Sequence, residues 1–145
     1  MSNIKLPENL VKSMEELTPC VVATVDDNKP YSTFISWLIA IDEETLRMAV
    51  SSDAKTTKNI KKNPNVSIEV FDKDTAVSIS GVANIIQDEI PTIPFPVSVI
   101  EIKVENVYDN LFPGGTITGK IPFVHVGDVQ KAEELDNLVL EALKV

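Results

Sequence analysis

Six extended segments separated by short turn clusters dominate this sequence, and they restrict its fold more than any other feature. Cys20–Val25, Tyr31–Ile41, Thr45–Val50, Asn65–Phe71, Thr75–Gln87 and Val97–Tyr108 read as strands, rich in β-branched residues. In the last of these, Ile100, Ile102 and Val104 alternate with Glu101, Lys103 and Glu105, the period of a strand with one buried face. Asp26-Asp27-Asn28-Lys29-Pro30, Asp42-Glu43-Glu44 and Asp72-Lys73-Asp74 are turn clusters between strands. The first three strands are close enough in sequence for an antiparallel meander. Gly81 interrupts the fifth strand and marks a bulge or a close backbone approach.

Helical periodicity occurs in three places. Pro7–Thr18 carries Leu10, Met14 and Leu17 on one stripe, and Asp53–Lys62 lies between an N-cap at Asp53 and a stop at Pro64. Val129–Leu143 follows the cap Asp128 and aligns Ala132, Leu135, Leu138, Val139 and Ala142. Pro91, Pro94 and Pro96 exclude helix and central strand from Asp88–Pro96. The expected fold is mainly β with flanking helices, a six-stranded small antiparallel barrel. The length of 145 residues fits a single domain over 1–145, with 109–145 an extension of unassigned role.

Composition excludes several function classes. A formal net charge of −9 opposes binding to nucleic acid or anionic membranes. No apolar run is long enough to span a bilayer, and the first residues lack a signal-peptide core. The single cysteine, Cys20, cannot form an internal disulfide, so a cytoplasmic location is expected. With one histidine, His125, and one cysteine, the chain is poorly supplied for a nucleophilic triad or a zinc site, and no metal is expected. If the chain is an enzyme, a bound cofactor carries its chemistry.

The segment Ser51–Pro64 reverses the local charge. Lys55, Lys58, Lys61 and Lys62 lie there with no acid among them. The first turn of a helix offers unpaired amides and partial positive charge, so lysines and hydroxyls there form an anion site, most often for phosphate. A solvated helix face explains Lys61 and Lys62 equally well, because cations suit a helix C-terminus. It does not explain Lys55, at the unfavourable end.

The order of motifs then carries a resemblance. Asp27-Asn28-Lys29-Pro30 precedes Tyr31-Ser32-Thr33-Phe34-Ile35-Ser36-Trp37; Leu46–Ser52 leads into Lys55–Val66, and Val77-Ser78-Ile79-Ser80-Gly81-Val82-Ala83 follows. Over residues 7–87 this resembles the pyridoxamine-phosphate-oxidase-like group of FMN-binding split β-barrels. The resemblance implies a Greek-key split barrel and a homodimer with FMN at the subunit interface. Carried over by position, the strand Thr33–Leu38 would line the flavin, with Thr33, Phe34, Ile35, Ser36 and Trp37 as its contacts. Ala49 and Val50 would approach its ring with backbone groups, and Ser51 would be a further cofactor contact. Lys55 and Thr56 would hold the phosphate, with Thr57 and Lys58 as further candidates, and Ala76–Ser78 would approach from the second subunit, with Ala76 and Ser78 as its contacts.

The chain departs from the vitamin-B6 oxidase that it resembles. That enzyme has arginine where Thr33 stands and lysine where Leu38 and Thr56 stand. It also uses an arginine near its C-terminus, and this chain has none after Arg47. Oxidation of pyridoxamine phosphate is therefore not expected. A helix found in many relatives is replaced by Asp88–Pro96, which is available to shape a pocket wall.

Other residues read as structural. Trp37 fits core or dimer interface better than a stacking partner, His125 a satisfied core or surface histidine, and Cys20 a small buried apolar residue. Gly114-Gly115 lacks the residues of a phosphate loop. Tyr31 and Tyr108 are possible proton donors that nothing separates from packing tyrosines. No catalytic residue is assigned. The leading functional expectation is an FMN-binding oxidoreductase passing electrons or hydride to a small acceptor. The alternatives are a non-catalytic flavin- or haem-binding or storage protein and a deazaflavin-dependent reductase.

Overall fold

The computed structural model describes residues 2–145. Its elements are β1 (Ser2–Asn3), α1 (Glu8–Ser13), β2 (Cys20–Asp26), β3 (Lys29–Ile35), β4 (Leu38–Asp42) and β5 (Thr45–Ser51), then α2 (Lys55–Lys62), β6 (Asn65–Asp72), β7 (Thr75–Gln87), β8 (Val97–Asp109) and α3 (Val129–Lys144). All ladders are antiparallel, in the order β3-β2-β6-β7-β8-β5-β4, with β1 added on β8.

Local chemistry accounts for the turns. Asp27 and Asn28 join β2 to β3 with φ of 50° and 66°, the left-handed pair a two-residue hairpin requires. Both residue types tolerate that conformation. Gly81 sits at a register shift between β7 and β8, as expected, and a Cβ there would lie 2.3 Å from the Lys103 carbonyl oxygen.

Three expectations need correction. The chain has seven strands in the main path rather than six, because Tyr31–Ile41 is broken at Ser36-Trp37. Ile35 and Leu38 are both buried in the same inner core. Three positions apart on one strand they would face opposite sides of a sheet; the two-residue break changes the parity so that both point inward. The predicted meander fails for the same reason. β3 and β4 stand at opposite ends of the ladder path although only two residues join them. The sheet must therefore curl back on itself, yet its hydrogen-bonded path stays open rather than forming a closed barrel. Beside β4, the Thr18 amide donates to the Leu38 carbonyl and the Ala40 amide to the Met14 carbonyl.

The inner core contains Leu38, Leu46, Met48, Ile68, Ile79, Ile100 and Ile102, each essentially without exposure. Burying a side chain of this kind stabilises by about 1.5–3 kcal/mol. Leu10 and Met14 from α1 and Ile60 from α2 join this core.

A second apolar cluster includes Ile39, Ala49, Val97 and Val99, which alternate with inner-core residues along their strands. Val139 and Leu143 of α3 pack on it, as do Ile90 and Ile93 of the proline-rich loop. The extension thus covers the outside of β4, β5 and β8. Asp128 caps α3 by accepting from the Lys131 amide at 3.1 Å, as the sequence predicts. Arg47 fastens the other end, with Nη1 donating to the carbonyls of Leu143 at 3.0 Å and Val145 at 2.6 Å. No helix among the described residues is long and apolar enough to cross a membrane.

Candidate functional site

The end of β3, the end of β5 and the start of α2 converge on a recess of about 320 Å³. Its lining includes Thr33, Phe34, Ile35, Ser36 and Trp37 from the β3–β4 corner, and Ala49, Val50 and Ser51 from β5. Lys55 and Thr56 contribute from α2, and Tyr31 and Ala54 complete the wall. The corner exists because of the Ser36-Trp37 break, so one irregularity both redirects the sheet and forms the recess.

The start of α2 differs from expectation. Its N-cap is Ala54 rather than Asp53, which makes Lys55 and Thr56 the first two helical residues. Alanine has no side-chain acceptor, and no side chain caps this helix. The amides of the first turn therefore remain available to an anion. Thr56 is 2% exposed, and its hydroxyl makes no hydrogen bond among the described residues. The adjoining Thr57 is committed elsewhere, its hydroxyl donating to the Ser51 carbonyl at 2.7 Å and bracing the strand-to-helix turn.

Lys55 lies over the Tyr31 ring, 5.4 Å from its centroid, and its Nζ is 2.8 Å from Asp26 Oδ2. The hydrogen bond from Lys55 holds the Asp26 carboxyl below its ordinary range. The same bond to Asp26 raises the Lys55 ammonium above its own. Asp26 thus pairs with Lys55 at the recess, and it would compete with an incoming anion.

The remaining expected residues lie outside this recess. Thr57 is buried behind it, and Lys58 is exposed on α2. Ala76 lines a separate recess of about 230 Å³. Ser78 is engaged on β7, donating to Glu69 Oε1 at 2.6 Å and accepting from Asn110 Nδ2 at 2.6 Å.

A second recess, of about 490 Å³, adjoins the first, and Ser36 lines both. Its far wall comes from the extension. The Trp37 indole donates to Asp136 Oδ1 at 2.8 Å, and His125 Nε2 lies 2.6 Å from Asp136 Oδ2. Phe123 stacks obliquely on Phe34 at 5.5 Å and meets the His125 ring edge-on at 5.4 Å. His125 is a half-buried histidine whose Nε2 alone is paired, and its ring stands beside the cavity. Sequence reasoning missed Asp26, Phe123 and Asp136. Asp136 had one signal: it falls on the same helix face as Ala132 and Val139, an acid on an apolar stripe.

Cys20 is fully buried, and burial pushes its thiol up to about 12. It has no part in either recess.

A family model described as pyridoxamine 5'-phosphate oxidase matches residues 6–110. The chain belongs to the pyridoxamine 5'-phosphate oxidase-like family. Similar solved structures agree on the fold. A Lactobacillus delbrueckii protein provisionally described as a pyridoxamine 5'-phosphate oxidase has a TM-score of 0.63 and 22% identity, covering 73% of this chain and 95% of its own. HupZ of Group A Streptococcus has a TM-score of 0.61 and 21% identity, covering 79% and 99%. A structure described as F420 reductase has a TM-score of 0.58 and 21% identity, covering 71% and 98%. Comparison with curated protein sequences gives no match. Both walls of the first recess fall inside the family match; Phe123, His125 and Asp136 lie beyond it.

Proposed function

We propose that this chain is an FMN-dependent oxidoreductase, acting as a homodimer with FMN held at the interface. One observation carries the reading: the uncapped start of α2, with the Thr56 hydroxyl and Lys55, opens into the same recess as the β3–β4 corner and the end of β5. An anion end and a partly apolar wall are what a phosphorylated planar cofactor requires.

The residues present fit the group. The first-turn amides and the Thr56 hydroxyl would donate to phosphate oxygens, and Lys55 would supply the cation. Ala49, Val50 and Ser51 would bring backbone groups to the ring, and Phe34 and Trp37 would bound it. A recess of about 320 Å³ is at the lower end of ligand sites, which run from roughly 300 to 1,000 Å³. A second copy would complete it, with Ala76 and Ser78 supplying the opposite wall. FMN, when bound, supplies hydride or single-electron transfer. The protein supplies orientation and exclusion of water.

The test is direct. Flavin released from the purified, denatured protein is identified by chromatography and fluorescence. Lys55→Glu and Thr56→Val should each weaken FMN binding by about tenfold or more. Unchanged affinity in both variants would remove the phosphate assignment. Bleaching of the bound flavin by NADH or NADPH under anaerobic conditions tests catalysis, and persistent yellow colour with both donors would count against a direct reductase. A haem or deazaflavin spectrum in place of flavin would overturn the cofactor assignment.

A further inference from the structure

The second recess has its own chemistry. Leu17, Pro19, Phe123 and Val129 give it an apolar wall. Its ionisable groups are His125, Glu133 and Asp136, with no lysine or arginine. An anion would meet two acids there and no permanent cation.

The hydrogen bonds define the polar end. An indole N–H can only donate, so Asp136 Oδ1 accepts from Trp37. A carboxylate can only accept, so Asp136 Oδ2 draws the imidazole proton to Nε2 of His125 across 2.6 Å. In the neutral form of the ring, Nδ1 then carries a lone pair. That nitrogen has no partner among the described residues, and it is not sealed in the interior. Trp37 and Asp136 together therefore set the tautomer of a histidine at the cavity, leaving an acceptor that calls for a donor.

We infer that this recess binds a small molecule with an apolar, aromatic-sized body and an N–H or O–H donor group, uncharged or cationic, recognised by Nδ1 of His125. That the bound molecule is the reaction partner of the cofactor rests on the proposed function, through the shared residue Ser36. The binding itself does not.

The chain has one tryptophan and one histidine, so the Trp37 indole and the His125 ring each give a single assignable NMR signal. The purified protein is titrated with benzamidine, benzamide and benzoate, which share a ring and differ in charge and donor capacity. Benzamidine and benzamide should give saturable shifts of both signals. Benzoate should bind at least about tenfold more weakly. Benzamide carries no charge, so its binding is independent of the net charge of −9.

Asp136→Asn provides the decisive variant. The new amide keeps an acceptor for Trp37 but presents an N–H to His125 Nε2, which moves the ring proton to Nδ1. Benzamidine should lose about tenfold in affinity and benzoate should gain. Val129→Phe, which narrows the recess, should weaken benzamidine binding with the Trp37 signal still in its docked position. Absence of saturable shifts in the unmodified protein overturns the inference, as does benzoate binding as tightly as benzamidine. Unchanged selectivity in a folded Asp136→Asn variant does so too. Lys55→Glu should weaken FMN without altering benzamidine binding. Benzamidine binding without any flavin binding would defeat the proposed function alone, and the reverse result would defeat this inference alone.

Discussion

Replacing Arg47 with methionine should release the C-terminal helix from the sheet. The Arg47 guanidinium is the chain's one fork donor, and its side chain is only 17% exposed. Nε meets Glu101 Oε2 at 3.0 Å, and Nη1 meets the Leu143 and Val145 carbonyls at 3.0 and 2.6 Å. Methionine keeps most of the apolar stem and removes all three bonds. A hydrogen bond involving a charged group is worth about 1.5–3 kcal/mol. The three are not additive, because the freed carbonyls recover water as the helix end frays. Glu101 is harder to compensate: it is 20% exposed, and its other cation, Lys103, lies 4.0 Å away. A loss of about 2–4 kcal/mol follows.

The loss should be local before it is global. The helix covers Ile39, Ala49, Val97 and Val99, while the inner core does not depend on it for closure. Trp37 reports on the docked helix through Asp136. In urea, Trp37 fluorescence should therefore change before the β-sheet circular dichroism, whereas the two should coincide in the parent protein. Arg47→Lys restores the charge without the fork and should fall between them. A destabilisation below about 0.5 kcal/mol, the usual scale of a surface change, would refute the reasoning. So would coincident transitions in the methionine variant.

Three further outcomes follow from single contacts. Asp26→Asn removes the carboxylate that holds Lys55 at 2.8 Å, so FMN affinity measured by fluorescence titration should rise several-fold. The Asp26 carboxyl is held below its ordinary value of 3.8, so the pair's contribution is present above that value and is lost as pH falls through the lower, folded one; acid titration by NMR checks the direction. Gly81→Ala places a methyl 2.3 Å from the Lys103 carbonyl oxygen, a backbone atom that cannot swing away, and should cost about 3 kcal/mol in urea denaturation. Cys20 should resist thiol reagents in the folded state. Because burial raises its thiol from 9.0 to about 12, stability should fall with rising pH across that interval by up to about 1.4 kcal/mol per pH unit, and Cys20→Ala should remove that component of the slope.

What the sequence made legible was local. Asp27-Asn28 names its hairpin because both residues accept the left-handed conformation, and the alternation along Val97–Tyr108 survives as β8. Gly81 announced a close approach because few other roles suit a glycine inside a strand. The Ser36-Trp37 break was not legible, since Tyr31–Ile41 is rich in aromatic and β-branched residues and Ser36, a weak turn former, has no Gly, Pro, Asn or Asp beside it. The parity change appears only when Ile35 and Leu38 are seen in one core. The cap of α2 was misplaced by one residue for a chemical reason. Asp53 is the better capping side chain, but the structure leaves it exposed in the turn and puts the boundary at Ala54. A capped start would have consumed an amide that the proposed phosphate site uses. The local preference fails at the point where the proposed site needs it to fail.

The extension was legible as a helix and illegible as a wall. Its apolar stripe required burial, but a stripe carries no address. The address is written in polar residues far away in sequence. Lys120 Nζ donates to the Ser13 carbonyl at 2.9 Å, and Thr116 donates to Asp74 at 2.9 Å. Arg47 takes the end of the helix, and Trp37 takes Asp136 from its middle. These contacts join positions that no short-range pattern relates, yet they place His125 beside Ser36, the residue common to both recesses. The family match ends at residue 110, so the family scaffold furnishes the first recess and the extension makes the second. The proposed cofactor binding and the proposed selection of a second molecule are then separable. Changes in α2 should alter the first, and changes between Phe123 and Asp136 the second, with Ser36 and Trp37 the residues through which either set reaches the other.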